Sequence, residues 1–204
     1  MWSAQTVIDD GVVFVVDDDA AVRDSISMLV RSEGLSVRTF DSARSFLAEW
    51  DRSESGCAIV DLRLPGLSGL GLQERLAEVD GAPPIIFLTG FGTVPEAVRA
   101  LKAGAIDFLE KPFDSAALLA RVREALACNR QRRSAARRLG ALTRREYQVL
   151  EQVARGDTNK VVAANLGISV RTVELHRARG MRKLSARSVV ELVGLIRRRN
   201  AGAT

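Results

Sequence analysis

Cysteine is nearly missing: 204 residues contain two, Cys57 and Cys128. They have no metal-ligand spacing, and Cys57 falls in an apolar run suited to a buried strand. A disulfide-built secreted fold is therefore excluded, and a reducing, cytoplasmic setting is expected. No apolar run reaches the roughly 18 residues of a membrane span. Met1 to Gly11 lacks the basic-then-apolar pattern of an export signal. Phosphate-cradling loops are missing too: neither G-x-G-x-x-G nor G-x-x-x-x-G-K-[ST] occurs, so the glycines at 66, 69 and 71 read as turn residues and nucleotide binding is set aside. Histidine is down to one, His176, better suited to a core or phosphate contact than to catalysis.

What is present is an ordinary folded composition, 47% hydrophobic and 27% charged. The net charge of +5 hides an asymmetry. Residues 1–127 carry 12 Lys/Arg and 20 Asp/Glu, a net of −8, whereas residues 128–204 carry 18 and 5, a net of +13. An acidic part is joined to a strongly basic one, and a basic part of this size is the usual electrostatic footprint of nucleic-acid binding.

Five strand–helix alternations fill the acidic part. Val12–Val16 is a fully apolar run, read as a buried strand, and it ends in Asp17, Asp18 and Asp19. A helix over about 20–32 follows, stopped by Gly34. Val37 and Phe40 lie in a second strand, and Asp41 and Ser42 cap a helix carrying Phe46, Leu47 and Trp50. Cys57–Val60 runs straight into Asp61, then Arg63 and a Pro65–Gly66 turn. Ser68 opens a third helix with Leu70, Leu72, Leu76 and Val79 along it. Ile85–Thr89 is a fourth strand, and Thr93 with Glu96 makes a capping box for a helix ending near Gly104. Ile106–Glu110 is a fifth strand, running into Lys111–Pro112, and a fifth helix covers about 115–129. This alternation predicts an α/β fold with a doubly wound, five-stranded parallel sheet, because parallel strands need helical crossovers.

Ligands of such sheets sit at the carboxyl ends of the strands. There the sequence delivers Asp17, Asp18, Asp61, Thr89 and Lys111. Two unit charges about 4 Å apart interact by roughly 4 kcal/mol at an effective dielectric near 20. One lysine cannot neutralise three acids, so a hard divalent cation is implied, and oxygen-only ligands favour magnesium. Beside it Asp61 becomes a nucleophile toward phosphorus, with Lys111 and Thr89 binding the phosphoryl oxygens.

The runs V-V-F-V-V-D-D-D, Asp61-x-x-x-Pro65-Gly66, Thr89-Gly90 and K-A-G-A-I-D-F-L-E-K-P-F resemble a response-regulator receiver domain over residues 10–127, of the flavodoxin-like, FixJ-type branch. The resemblance implies that a sensor histidine kinase phosphorylates Asp61. It implies magnesium held by Asp17, Asp18, Asp61 and the backbone carbonyl of Arg63, and a cis Lys111–Pro112 bond. It also implies that Thr89 moves toward the phosphoryl group and that Phe108 is the aromatic switch. Phe91 departs from the histidine frequent in that branch.

Cys128–Gly140 is arginine-rich and holds no acid. Its like charges oppose a helix while Ala135, Ala136 and Leu139 favour one, and residues 128–138 read as a linker of either kind. Four short helices then follow, over residues 139–200. Thr143–Glu146 and Ser188–Glu191 make capping boxes, Thr158 and Ser169 cap the helices between, and Gly156 and Gly167 end two of them. The tight joint at 166–169 is a helix-turn-helix signature. On the third helix Val170, Val173, Gly180, Met181 and Leu184 are expected inward. The last carries Val190, Val193 and Ile196. L-T-R-R-E-Y-Q-V-L, T-N-K-V-V-A-A-N-L-G-I-S and R-T-V-E-L-H-R resemble the LuxR-type domain of the NarL/FixJ family. The candidates for DNA contact are Lys160, Arg171, Thr172, Glu174, Leu175, His176, Arg177, Ala178, Arg179 and Arg182. Gly180 replaces a branched apolar residue usual in that family, and is expected to loosen its helix by about 1 kcal/mol.

These residues imply a transcription factor switched by phosphorylation, a homodimer on activation that binds promoter DNA and contacts RNA polymerase. A regulator controlled by ligand or partner binding is the alternative. A magnesium-dependent phosphohydrolase is the third reading, opposed by Arg63 where a general acid would stand.

Overall fold

The structure, a computed structural model, describes residues 11–90 and 92–200, with side chains to residue 197; Phe91 lies outside these. The chain divides into two compact units, with the boundary between Arg130 and Gln131. Among the described residues no helix is long and apolar enough to cross a membrane.

In the first unit the elements alternate: β1 (Val12–Val16), α1 (Ala20–Ser32), β2 (Ser36–Phe40), α2 (Ala43–Glu49), β3 (Gly56–Asp61), α3 (Gly69–Ala77), β4 (Ile85–Thr89), α4 (Val94–Lys102), β5 (Asp107–Glu110) and α5 (Ser115–Gly140). All pairings are parallel, in the order β2-β1-β3-β4-β5. The central strands are continuously apolar because both faces are covered. Val13, Val15, Cys57, Ile59, Ile86 and Leu88 meet Ile26 and Val30 of α1 and Leu118 and Val122 of α5. Phe14, Val16, Ala58, Val60 and Phe87 meet Phe46 of α2, Leu72 and Leu76 of α3, and Ala100 of α4. Burial drives the Cys57 thiol up to about 12, so it acts as a small apolar side chain.

Three helix ends differ from the sequence reading. α3 stops at Ala77, leaving Val79 in the turn beyond it. Trp50 is the C-cap of α2 rather than part of it, and its ring stacks on Phe46 at 5.7 Å. α5 continues past residue 129 through the arginine-rich stretch to Gly140. Within the first unit its Asn129, 2% exposed, donates from Nδ2 to the Gly56 carbonyl at the start of β3.

The second unit contains α6 (Arg144–Arg155), α7 (Asn159–Leu166), α8 (Val170–Lys183) and α9 (Val189–Asn200). Its core gathers Leu139, Val149, Leu150, Val153, Val162, Val173, Leu184 and Leu192. Gly156 and Gly167 end α6 and α7 in the left-handed region, at φ 101° and 63°, which glycine adopts without a Cβ penalty. In α9 the buried side is Leu192, with Val189, Leu195 and Ile196 beside it, while Val190 is 81% exposed. The period gives the reason: Val189 lies on the Leu192 side and Val190 a further 100° round. The Ser188 hydroxyl accepts from Glu191 N–H, but the Glu191 carboxylate reaches back to the N–H of Arg187, one residue earlier than a capping box requires.

Candidate functional site

Parallel register places the strand ends together: Val16 is level with Val60, Asp61 with Leu88, and Thr89 with Glu110. Asp17 follows β1, Asp61 ends β3, Thr89 ends β4 and Lys111 follows β5. Ligand oxygens of Asp17, Asp18 and Asp61 all lie within 4.8 Å of one another. Lys111 Nζ donates to Asp17 Oδ2 and to Asp61 Oδ2, each at 2.6 Å. Backbone N–H groups hold the outer oxygens: Asp19 N–H donates to Asp17 Oδ1 and Arg63 N–H to Asp61 Oδ1, both at 2.9 Å.

Asp17 is 1% exposed, Asp61 8%, and Asp18 faces solvent. Burial raises the Asp17 carboxyl above its ordinary range, although Lys111 pulls the other way. Burial opposes the Lys111 ammonium, yet its bonds to Asp17 and Asp61 outweigh this and raise it. The Asp17 shift has the sign of a desolvated carboxylate, and the Lys111 shift that of an ammonium bonded to two acids. Three carboxylates share one ammonium, and this hard-oxygen donor set fits a divalent cation. Asp61 presents an oxygen that can attack an electrophile, with Lys111 beside it to receive the charge.

Thr89, the last residue of β4, is fully buried. The Phe108 ring is half-buried, with its centroid 6.4 Å from that of Phe87. Gly92 lies against both: a Cβ there would come within 2.6 Å of Phe108 Cζ and of Thr89 Cγ2. The Lys111–Pro112 bond is cis.

In the second unit α8 buries Val173 and Gly180, and its C-cap Leu184 is buried with them. Val170, the first residue of α8, is 38% exposed rather than inward. On the opposite side Arg171, Leu175, Ala178 and Arg182 form one exposed row, with Glu174 and Arg179 exposed beside it. Lys160 on α7 is also exposed. Three other candidates are engaged or partly covered. Arg177 Nη1 donates to Asn159 Oδ1 at 3.0 Å, tying α8 to α7. The Thr172 hydroxyl meets that of Ser169 at 2.7 Å, within the N-cap. His176 is half-buried.

Sequence reasoning missed what Glu146 does beyond its capping box. Its side chain is buried and accepts from Lys183 Nζ and from Thr143 N–H, each at 2.8 Å, so α6 is joined to the end of α8. Lys183 lies 37 positions away, beyond any local pattern.

Residues 13–123 match the family described as response regulator receiver domain, and residues 140–196 match bacterial regulatory proteins, luxR family. The response regulator protein TodT of Pseudomonas putida is 46% identical over 194 residues, covering 92% of this chain and 86% of that protein. The transcriptional regulatory protein FixJ of Azorhizobium caulinodans is 45% identical over 188 residues, covering 89% of each. Among solved structures, response regulator StyR is similar with a TM-score of 0.58 at 44% identity, covering 91% of this chain and 98% of that one. Full-length FixJ from B. japonicum has a TM-score of 0.52 at 40% identity, covering 95% and 98%. The chain therefore belongs to the FixJ-like response regulators, transcriptional regulators that join a receiver domain to a LuxR-type DNA-binding domain.

Proposed function

We propose that Asp61 is the phosphoacceptor of a sensor histidine kinase and that its phosphorylation controls promoter binding by α8. The receiver spans residues 10–127, the linker 128–138 and the DNA-binding part 139–200. The observation carrying this reading is Lys111 Nζ, 2.6 Å from both Asp17 and Asp61, at the edge where three acids converge. In the transfer, an Asp61 oxygen bonds to phosphorus as the N–P bond of the kinase phosphohistidine breaks, and the electron pair returns to the imidazole. Asp17, Asp18, Asp61 and the Arg63 carbonyl would hold magnesium, which supplies charge neutralisation for the phosphoryl group. Lys111 binds one phosphoryl oxygen and the Thr89 hydroxyl another. Movement of Thr89 makes room for Phe108 to turn inward, and two phosphorylated receivers pair as a homodimer that recruits RNA polymerase.

On the DNA side, Arg171 and Arg182 are placed to contact phosphate or guanine, and Leu175 and Ala178 to touch base edges. Glu174 can accept from a cytosine amino group. Lys160, Arg179 and His176 serve the phosphate backbone, and Thr172 and Arg177 hold α8 in place. Acetyl phosphate with magnesium should add one phosphoryl group to the wild-type chain and none to Asp61→Asn, read by intact mass. Full labelling of that variant moves the acceptor elsewhere.

A further inference from the structure

Among the described helices of the first unit, α4 has an unusual attachment. Of its residues only Ala100 is buried, while Val94, Val98 and Leu101 are exposed. Polar side chains hold it instead. At its C-terminal end Gln73 of α3, 5% exposed, donates from Nε2 to the carbonyls of Ala100 and Ala103 at 3.0 and 3.2 Å. Both are acceptors of the last turn of α4 and its cap, and the Ala100 carbonyl also accepts from Ala105 N–H at 3.1 Å. Glu74, next to Gln73, pairs with Arg99.

At its N-terminal end the contact from the acceptor loop is Arg63. Its guanidinium pairs with Glu96 Oε1 at 3.0 Å and donates to Oε2 at 3.3 Å. Glu96 is also the capping residue of α4, accepting from Thr93 N–H at 3.0 Å and from its hydroxyl at 2.9 Å. Arg63 thus touches two things together: its N–H holds Asp61 Oδ1 and its side chain holds the first turn of α4.

We propose that Arg63 is a second cationic arm of the phosphoacceptor site, held by Glu96 at rest and transferred to the phosphoryl group once Asp61 carries it. This rests on Asp61 being the acceptor. A carboxylate of one negative charge becomes a phosphoryl group of about −1.5 to −2 with three acceptor oxygens. Lys111 is already shared between two acids. The Arg63 side chain is 61% exposed, so its pair with Glu96 is weak and free to exchange. A planar guanidinium matches phosphate oxygens with two parallel bonds. When it leaves, Glu96 still caps α4, but the first turn has lost its link to the acceptor loop. The Gln73 and Glu74 contacts remain, so α4 pivots about its C-terminal end.

The test breaks the same ion pair from its two sides. The full-length wild type, Arg63→Ala and Glu96→Gln are treated with acetyl phosphate and magnesium, and Asp61 labelling is timed by intact mass. In that reaction the P–O bond to acetate breaks as the Asp61 oxygen bonds to phosphorus. Glu96→Gln frees the guanidinium for the incoming phosphoryl group and should speed labelling about two- to five-fold, the range of one exposed charge contact. Arg63→Ala removes it and should slow labelling by a similar factor, and Arg63→Lys should fall between Ala and wild type. A merely structural tether predicts that both variants shift the rate the same way, and that result, or no shift in either, overturns the proposal. Wild type that takes no label at all removes the acceptor assignment, and this proposal with it.

Discussion

Gly180 shows how one residue reverses its meaning once its neighbours are known. From helix propensity alone, glycine inside α8 costs about 1 kcal/mol against alanine, so Gly180→Ala should stabilise. But Gly180 is buried, and a Cβ there would lie 2.7 Å from Leu150 Cδ1 and 3.2 Å from its Cγ. Leu150 is 1% exposed and has little room to yield. Overpacking costs about 1–3 kcal/mol, which at such a filled position offsets or outweighs the propensity gain. Gly180→Ala should therefore destabilise the second unit by up to about 2 kcal/mol, read as a lower urea midpoint. Glycine here is what allows α8 to sit close on α6, not a loosening of the helix. Contrast Asp61, whose place was legible because four apolar residues ran into it and a turn followed. A strand end is a local property; a methyl-sized gap between two helices is not.

The elements were legible where periodicity and caps agreed. β1, β3 and β4 stand within a residue of their sequence positions because each is an apolar run bounded by turn residues, whereas β2 (SVRTF) and β5 (DFLE) mix polar residues in and were placed by the alternation around them. α5 was the ambiguous one: arginine repulsion argued against a helix over residues 128–138 and alanine argued for it. The structure has Ala135 and Leu139 buried, a contribution that the charge pattern alone did not reveal. How elements hold one another was equally hidden, as the pairing of α6 with α8 shows. Bonds to Lys183 first, and to Thr143, lower the Glu146 carboxyl from an ordinary 4.5 to about 2. A depressed folded pKa stabilises above the unfolded value, so this contribution is whole above pH 4.5 and is lost as pH falls through about 2. Wild type should thus lose more stability between those limits than Glu146→Gln. The ring signals of His176, the one histidine, report on α8 directly by NMR. Parallel acid profiles for the two proteins would mean that the ion pair does not hold α8.

For the whole molecule the governing quantity is charge. Residues 128–204 carry a net of +13, against −8 over residues 1–127. Binding that neutralises phosphates releases counterions, so log affinity should fall with log salt at about −0.9 per phosphate contacted. Arg171→Ala or Arg182→Ala should reduce that slope by about one contact where the arginine meets phosphate. Where it meets a guanine, the loss should instead fall on the preferred sequence and spare non-specific DNA. Arg177→Ala should behave differently from both, because its guanidinium is spent on Asn159: the slope stays while α8 loosens. Phosphorylation acts on top of this as a population shift. Moving a switch from 1:99 to 99:1 takes about 5.5 kcal/mol of preference for one state, and on the proposed assignment of Asp61 as acceptor that preference comes from contacts near it. Affinity for a selected site should therefore rise on phosphorylation with the salt slope per bound protomer unchanged. Titration of labelled DNA at several salt concentrations, with and without acetyl phosphate, separates the two terms. A slope that grows in proportion to the affinity would instead mean that phosphorylation exposes new basic surface rather than assembling sites already present.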